Sequence, residues 1–281
     1  MSKQKLYYSI GLGCVAFLLA VFLWWWPLYQ HTTTITFLNV GEGDAILITQ
    51  GSNQMLIDGG RTGKDLLARL GRHMPFWDRT LEIVLATHPD ADHIGGFRAV
   101  LSAYDVEVFL STGAESDTET FALLARALAT QHIEMQTVFR GGTIQFPYGG
   151  MLTIEYPLKP IPQEMQDANT GSIVGQFVFG DTKILLTGDL PEEEKVLVDI
   201  QPIDILKVAH HGSKYSTSVA FLDRVRPKEA VISVGKNSYG HPSPDVMKRL
   251  SERGVIVRRT DIDGNIEYRC TEKLARCIFV P

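Results

Sequence analysis

Short apolar runs rich in β-branched residues alternate with amphipathic stretches along most of this chain. The runs predict strands, and most of them end at a Gly or an Asp. They cover residues 34–40, 45–49, 54–57, 82–86, 107–110, 173–179, 183–186, 203–208, 230–234 and 255–258. Helical spacing of apolar residues predicts helices over residues 64–73, 116–130, 192–198 and 244–252. Strands with helices interspersed and no repeat of about 35 residues predict an α/β sandwich.

The N-terminal part of the chain is continuously apolar instead. Asp, Glu, Lys and Arg are absent between Lys5 and Glu42, and residues 6–29 could cross about 30 Å of hydrocarbon as one helix. Lys3 and Lys5 precede this run, and an aromatic belt closes it at Trp24, Trp25, Trp26 and Tyr29. The positive-inside rule then predicts a cytoplasmic N-terminus and an extracytoplasmic remainder. A cleaved signal peptide is the alternative, but no small-x-small cleavage site follows the tryptophans.

We therefore predict a single-pass transmembrane anchor over residues 1–30 and one domain over residues 31–281. With 281 residues, of which 44% are hydrophobic and 21% charged, the chain can bury a full core, and no linker divides the second region. The net charge of −5 gives no general attraction to phosphate backbones, so a nucleic acid would need a local patch or a metal. Cys270 and Cys277 either form a disulfide in an oxidising compartment or remain two thiols.

The stretch THPDADHIGG, at residues 87–96, crowds His88, Asp90, Asp92 and His93 into six positions. Neighbouring carboxylates repel each other unless a positive charge lies between them. A lone Asp after a strand is more often a helix N-cap, and a lone His is more often a surface or core residue. Four donors in six residues favour a bound cation over these ordinary roles.

Two further groups of donors follow predicted strands. Asp189 lies in LLTGDL, and His210 and His211 lie in LKVAHHGS. An α/β sheet presents its functional loops at strand ends, so these side chains are expected to meet those of the first stretch. Nitrogen and oxygen donors without cysteine suit one or two divalent ions, Zn or Mn. Asp189 could bridge such a pair, as in enzymes of phosphoryl transfer.

At these residues the chain resembles the metallo-β-lactamase superfamily. THPDADHIGG matches the signature H-x-H-x-D-H with Asp90 in place of the second histidine, as in the subgroup attached to the ComEC competence proteins. Other motifs of this family extend the resemblance over nearly all of residues 34–281: FLNVGEGDAILI, MLIDGG, ANTGSIV, LLTGDL, LKVAHHGS, SYGHPSPDV and RRTDIDGNIEY. The resemblance implies an αββα four-layer sandwich with a hydrolytic metal site at one edge.

The resemblance also implies roles for individual residues. Its metal ligands would be His88, Asp90, Asp92, His93, Asp189 and one histidine of the HHGS pair. We favour His211 as the ligand and His210 as a substrate contact, and the reverse assignment stays open. Asp44 and Asp58 would orient ligand histidines.

Catalytic roles follow for three residues. Asp92 would hold and deprotonate the attacking water, His241 would stabilise charge on the substrate phosphate or protonate the leaving oxygen, and His210 would contact the substrate.

Two departures from the family stand out. Residues 169–172 (NTGS) contain no histidine where the family at large has its third metal ligand, so one ion would be held more weakly, by water or an amide oxygen. ComEC proteins also carry a multi-helix channel region and an OB-like domain. A single anchor helix is predicted here, so we do not expect this chain to form the DNA channel itself.

The resemblance favours a phosphodiester as substrate over a β-lactam, because ComEC-type modules are thought to degrade a DNA strand. We predict a membrane-anchored, metal-dependent nuclease that acts on DNA, single-stranded DNA included, with competence-type uptake components as partners. Side chains for a DNA groove would come from Arg61, Lys64, Lys207, Lys214, Tyr215 and Tyr239. The alternatives are a phosphodiesterase of cell-envelope polymers, like the related module that removes phosphocholine, and a non-catalytic metal-binding membrane subunit.

Overall fold

The computed structural model describes residues 3–163 and 165–281, without the side chains at positions 3, 5, 6, 9 and 24–30. Its helices are α1 Lys3–Gln30, α2 Gly63–His73, α3 Ala91–Ile94, α4 Phe97–Ala103, α5 Glu119–Thr130, α6 Val219–Val225, α7 Pro244–Ser251 and α8 Thr260–Asp263. Its strands are β1 Thr32–Phe37, β2 Ile46–Gln50, β3 Asn53–Ile57, β4 Thr80–Leu85, β5 Asp105–Ser111, β6 Met135–Thr137, β7 Thr143–Gln145, β8 Met151–Tyr156, β9 Val174–Phe179, β10 Thr182–Leu186, β11 Ile205–Lys207, β12 Glu229–Ile232, β13 Ile256–Arg259, β14 Ile266–Thr271 and β15 Arg276–Val280.

The strands form two mixed sheets. One has the order β15-β14-β1-β2-β3-β4-β5-β6 and the other β13-β12-β11-β10-β9-β8-β7. Strands β3 to β6 are parallel in the first sheet, and β10 to β13 are parallel in the second. The carboxyl ends of parallel strands share an edge, where their loops can form one site.

Three apolar clusters separate four layers. The central cluster joins the two sheets and contains Phe37 and Ile57 from one and Phe177 and Ile184 from the other. A second cluster packs α2, α4 and α5 on the first sheet, and a third packs α6 and α7 on the second. The predicted αββα sandwich is therefore confirmed.

Most predicted helices agree with the structure, and one does not. Helices α2, α5 and α7 lie where the apolar spacing placed them, and Ser243 caps α7 by accepting a hydrogen bond from the Asp245 amide. The helix predicted over residues 192–198 is wrong, because only a 3-10 turn forms at Glu193–Lys195. Glu192 takes a left-handed conformation with φ 50°, and the buried Glu193 side chain accepts hydrogen bonds from the Thr217 amide.

The strand prediction missed β6, β7, β8, β14 and β15. Strands β6 and β7 have three residues each and few buried side chains, so they carry too short a pattern to detect. Strands β14 and β15 form a hairpin whose register pairs Cys270 with Cys277, and these residues form a disulfide.

Helix α1 covers the predicted anchor. Its described side chains are exposed, among them Leu12 and Phe17. Among the described residues, no helix has both the length and the apolar character that a membrane crossing needs. The predicted transmembrane helix is thus not supported by the structure. The side chains of Lys3, Lys5 and the aromatic belt at residues 24–29 lie outside the described part.

Candidate metal centre

The candidate centre lies at one edge of the sandwich, where loops from both sheets meet. His88 follows β4 and Asp58 follows β3 in the first sheet, whereas Asp189 follows β10 and His211 follows β11 in the second. The two apolar sheet faces hold these strand ends against each other. The sequence-predicted donors are therefore brought together by the packing of the sheets.

The signature loop depends on close backbone approaches. Asp90 occupies the N-cap position of α3 but makes no capping hydrogen bond, so its carboxylate stays available. A Cβ atom at Gly96 would overlap the carbonyl oxygen of Gly59, and a Cβ at Gly43 would overlap that of Asp92. The glycines that follow the signature thus let α3 pack directly against the loop that carries Asp58.

Three histidine Nε2 atoms point into this centre. The Nε2 atoms of His88, His93 and His211 are buried and have no hydrogen-bond partner in the described part of the chain. His93 Nε2 lies 3.2 Å from Asp189 Oδ2, and His211 Nε2 lies 3.3 Å from the same oxygen. His211 Nε2 is also 3.4 Å from Asp92 Oδ2. Buried polar atoms rarely lack partners, so this arrangement suits a bound cation.

The contacts of the three Nδ1 atoms determine which nitrogen of each histidine ring can bind a cation. His211 Nδ1 lies 2.9 Å from the carbonyl oxygen of Ser233, which can only accept, so Nδ1 carries the hydrogen. His93 Nδ1 lies 2.7 Å from Asp58 Oδ2. Thr87 Oγ1 donates its one hydrogen to Asp58 and lies 3.0 Å from His88 Nδ1. It therefore accepts from His88, and all three Nε2 lone pairs face the centre.

The donors form four overlapping groups in the described part of the chain, and two of these groups do not include Asp44, which pairs with Lys207. His88, His93 and Asp189 form one, and Asp92, His93 and His211 form the other, with ligand atoms within 4.8 Å of one another in each. Asp90 Oδ2 lies 3.7 Å from His88 Nε2, beside the first group. His93 belongs to both of these groups, and because its Nε2 has a single lone pair it can bind only one ion at a time.

The HHGS pair divides its side chains between the interior and the surface. Both histidines have left-handed backbone conformations, with φ 48° at His210 and 52° at His211. This turn directs His211 inward, whereas His210 is about one-third exposed and its Nε2 lies 4.0 Å from Asp189 Oδ2. The geometry favours His211 over His210 as the ligand, as the sequence analysis did.

Lys207 has a different place from the one predicted. It was assigned to a DNA groove, but its side chain is fully buried beneath the centre and cannot reach a substrate. Its Nζ forms an ion pair with Asp44, lies 3.6 Å from Asp189 Oδ1 and donates to the Gly188 carbonyl oxygen at 2.9 Å. The apolar run that forms the buried strand β11 was the sequence signal for this burial, because a lysine at the end of a buried strand needs buried carboxylates as partners.

The charges of the centre require added positive charge. Five carboxylates meet here: Asp44, Asp58, Asp90, Asp92 and Asp189. The buried ammonium of Lys207 pairs with two of them, Asp44 and Asp189. Burial would lower the pKa of His93 and of His211, but the carboxylate of Asp189 above all raises both pKa values well above normal. The protein without metal therefore holds protons on these rings, and a divalent cation would displace them.

The pKa values of the carboxylates shift in the opposite direction. Burial would raise the pKa of Asp189, yet the imidazoles of His211 and His93 lower it well below the usual range. Burial would likewise raise the pKa of Asp92, but the neighbouring imidazoles of His211 and His93 lower it. Both side chains stay ionised and can bind a cation.

A cavity of about 180 Å³ opens from the centre to the surface. Its lining residues include the donors Asp90, Asp92, Asp189 and His211 together with His210, His241, Arg61, Asn237 and Tyr239. Burial lowers the pKa of His241, and His210 adds to this effect, so the neutral imidazole prevails near pH 7. Of the other residues assigned to a DNA groove, Lys64, Lys214 and Tyr215 do not line this cavity.

The segment that lacks the third histidine packs against the centre. Residues Ala168–Gly171 form a 3-10 turn, and Asn169 Oδ1 is buried without a hydrogen-bond partner among the described residues. Ser172 Oγ accepts a hydrogen bond from the Asp189 amide at 3.2 Å. Ser172 thus helps to position Asp189 through its backbone.

Residues 38–236 match the sequence profile described as the metallo-beta-lactamase superfamily. The chain belongs to this superfamily. The resemblance stated from the sequence motifs is confirmed, because the curated relatives are ComEC-type competence proteins.

Two relatives and one solved structure define the similarity further. The chain is 30% identical to ComE operon protein 3 of Bacillus subtilis, with 100% of this chain and 38% of that protein covered. It is 28% identical to Recombination protein 2 of Haemophilus influenzae, with 92% and 31% covered. The chain thus spans less than two-fifths of these relatives. The metallo-beta-lactamase fold protein YhfI of Bacillus subtilis superposes with a TM-score of 0.57 at 12% identity, covering 84% of this chain and 99% of that one, and so shares the fold.

Proposed function

We propose that this protein is a metal-dependent phosphodiesterase that cleaves DNA. The observation that carries this proposal is the set of three unpartnered histidine nitrogens around Asp189, which opens into a cavity beside Arg61. The donors of the centre support hydrolysis that depends on a cation. The guanidinium of Arg61 can bind a phosphate group of the substrate. The names of the relatives, which refer to competence and recombination, support DNA as the substrate and DNA uptake as the setting.

A divalent cation bound here would supply Lewis-acid activation of water and of a phosphoryl oxygen. The nitrogen and carboxylate donors suit Zn or Mn, and we propose that the centre binds one or two such ions. We propose His88, Asp90, Asp92, His93, Asp189 and His211 as its ligands.

The protein groups around this centre have separate roles in the proposed reaction. Asp92 is the one ligand carboxylate whose side chain is both partly exposed and in contact with His211, so it can accept a proton from the attacking water. His241 and His210 line the same cavity, with ring centroids 5.5 Å apart, and can donate N–H groups to the phosphate and to the leaving oxygen. Arg61 would hold a second phosphate oxygen.

The test is hydrolysis of labelled single- and double-stranded DNA and of bis-p-nitrophenyl phosphate by the full-length protein in detergent. The protein is freed of metal, reloaded with Mn or Zn and compared with Asp92→Ala. We expect DNA cleavage that requires metal and falls in the variant by more than the roughly 10–100-fold that loss of an outer contact causes. Lys228→Ala, far from the centre on an exposed ion pair, is the control.

Each other result has a distinct meaning. Turnover of the small diester with DNA untouched would refute the nuclease and direct the search to cell-envelope polymers. Absence of hydrolysis with either metal, in a protein that still binds the ion, would indicate a binding subunit.

We also propose that residues 1–30 attach the protein to the membrane and leave the catalytic domain outside the cytoplasm. Support comes from the exposed apolar side chains of α1, such as Leu12 and Phe17, and from the disulfide Cys270–Cys277, which suits an oxidising compartment. Protease treatment of spheroplasts tests this directly. Degradation of the domain in intact spheroplasts is expected, and protection until lysis would refute the proposed orientation.

A further inference from the structure

The loop after β12, residues 235–241, forms a fixed shelf beside the metal centre. The Asn237 side chain donates to the carbonyl oxygens of Gly235 and His241 at 2.9 and 2.8 Å, and its Oδ1 accepts from the amides of Tyr239 and His241 at 3.1 and 3.0 Å. A Cβ atom at Gly235 would overlap the backbone of Gly41, so the loop also packs against the turn before β2. One side chain and one close approach therefore hold the shelf in place.

Tyr239 stands at the outer end of this shelf. Its side chain is 69% exposed, and its ring stacks on that of His241 with centroids 5.8 Å apart and an interplanar angle of 29°. Tyr239 lines the cavity of the metal centre and also an adjoining groove of about 460 Å³. An aromatic ring that is mostly exposed to solvent can stack on another flat group.

The adjoining groove carries cationic side chains. Arg61 and Lys236 line it together with Glu42, and Arg61 also lines the cavity of the metal centre. The Arg61 guanidinium lies 4.0 Å from Asp92 Oδ2 and is held by Glu42 Oε2 at 3.0 Å from Nε. A phosphate at the metal centre would meet Arg61, and the chain leaving it would pass Tyr239.

These positions distinguish between possible ligands. A quaternary ammonium such as choline is bound by an aromatic cage free of cations, whereas here Arg61 and Lys236 flank the ring of Tyr239. Single-stranded nucleic acids are held by cationic side chains along the backbone and by aromatic rings that stack on the bases. The groove has both features.

We infer that Tyr239 stacks on the nucleobase next to the scissile phosphate and so selects single-stranded nucleic acid as substrate. This inference rests on the proposed phosphodiesterase function and adds the specificity-determining residue to it. Arg61 holds the backbone between the metal centre and the stacked base. Asn237 is a positioning residue, because its side-chain hydrogen bonds are to the backbone of this loop.

The experiment compares two substrates that differ only in their bases. One is a short single-stranded oligothymidylate, and the other is a backbone of equal length whose sugars carry no base. For the full-length protein in detergent, binding of each labelled strand is measured in chelator by fluorescence anisotropy, and kcat/KM is measured after loading with Mn. Binding in chelator is a readout that does not depend on metal or on turnover.

We expect the wild type to prefer the strand with bases in both assays. Tyr239→Ala should lower this preference by about 5- to 150-fold, the range for loss of one base-aromatic stack. Tyr239→Phe keeps the ring and should keep the preference. Tyr215→Ala is the matched control, because Tyr215 is 66% exposed but lies outside the cavity and the groove.

The outcomes separate this inference from the proposed function. Cleavage of DNA without base preference, or equal loss of preference in Tyr215→Ala, would overturn the role of Tyr239 and leave the nuclease standing. Binding that depends on the bases and is abolished in Tyr239→Ala, in a protein that does not cleave DNA, would support the stacking role of Tyr239. It would refute the proposed nuclease activity. Absence of both binding and cleavage would refute both.

Discussion

Replacement of Lys207 by Met tests whether this buried ammonium balances the carboxylates of the centre. Methionine keeps most of the side-chain length and removes the charge that contacts Asp44 and Asp189. Burial acts to lower the pKa of Lys207, yet these carboxylates raise it, so the group is charged at neutral pH. The substitution leaves Asp44 and Asp189 without this cation, and the Gly188 carbonyl oxygen loses this donor and keeps the hydrogen bond from the His210 amide.

The expected loss is large in protein without metal. Removal of one partner of a buried ion pair destabilises a protein by about 3–5 kcal/mol. For a domain of this size each kcal/mol shifts Tm by about 2–4 °C, so Tm should fall by roughly 6–20 °C in chelator. A bound divalent cation also balances the negative charge of Asp189. The fall in Tm should therefore be smaller after Mn is added.

The assay is thermal unfolding of wild type and variant in chelator and in Mn. Lys228→Met is the matched control, because Lys228 pairs with Asp204 at 2.7 Å but is fully exposed, and a surface pair contributes little. Lys207→Met/Asp44→Asn should recover part of the lost stability. A loss in chelator no larger than that of Lys228→Met, or a loss unchanged by Mn, would show that Lys207 does not balance this centre.

Two other substitutions test the surroundings of the centre. Asp58→Asn weakens the contact that orients His93 at 2.7 Å and should lower Mn affinity by roughly 10–100-fold, measured by calorimetry; unchanged affinity would contradict the orienting role. Burial raises the pKa of Glu193 to about 7, above the value of 4.5 in the unfolded chain, so its contribution to stability is present at low pH and is lost as the pH rises through 7. Between pH 5 and 8 this loss amounts to roughly 2–3 kcal/mol, and Glu193→Gln should remove it; urea unfolding curves of both proteins with the same pH dependence would disprove the assignment.

The buried ion pair has a consequence for how the centre accepts metal. Lys207 contacts Asp189 Oδ1, whereas His93 and His211 face Asp189 Oδ2. The two oxygens of one carboxylate thus have different neighbours, and Oδ2 is the one directed at the ligand histidines. Lys207 therefore helps to set the orientation of the carboxylate that lies beside both ligand histidines.

The sequence by itself determined much of the fold and the members of the centre. The helical spacing of apolar residues predicted helices α2, α5 and α7, because each has a regular apolar face. The density of donors in THPDADHIGG and their positions after predicted strands predicted a cation site, since neighbouring carboxylates repel each other without a cation. Local spacing was enough for these conclusions.

Tertiary structure decided what local spacing could not encode. Lys207 was predicted to be a surface cation, and the pairing of β11 between β10 and β12 buries it beside Asp44. The choice of His211 over His210 depends on a left-handed turn, and the stack of Tyr239 on His241 depends on the bonds of Asn237. Contacts between residues far apart in the chain arise when two sheets bury their apolar faces, and that packing determines which side chains meet.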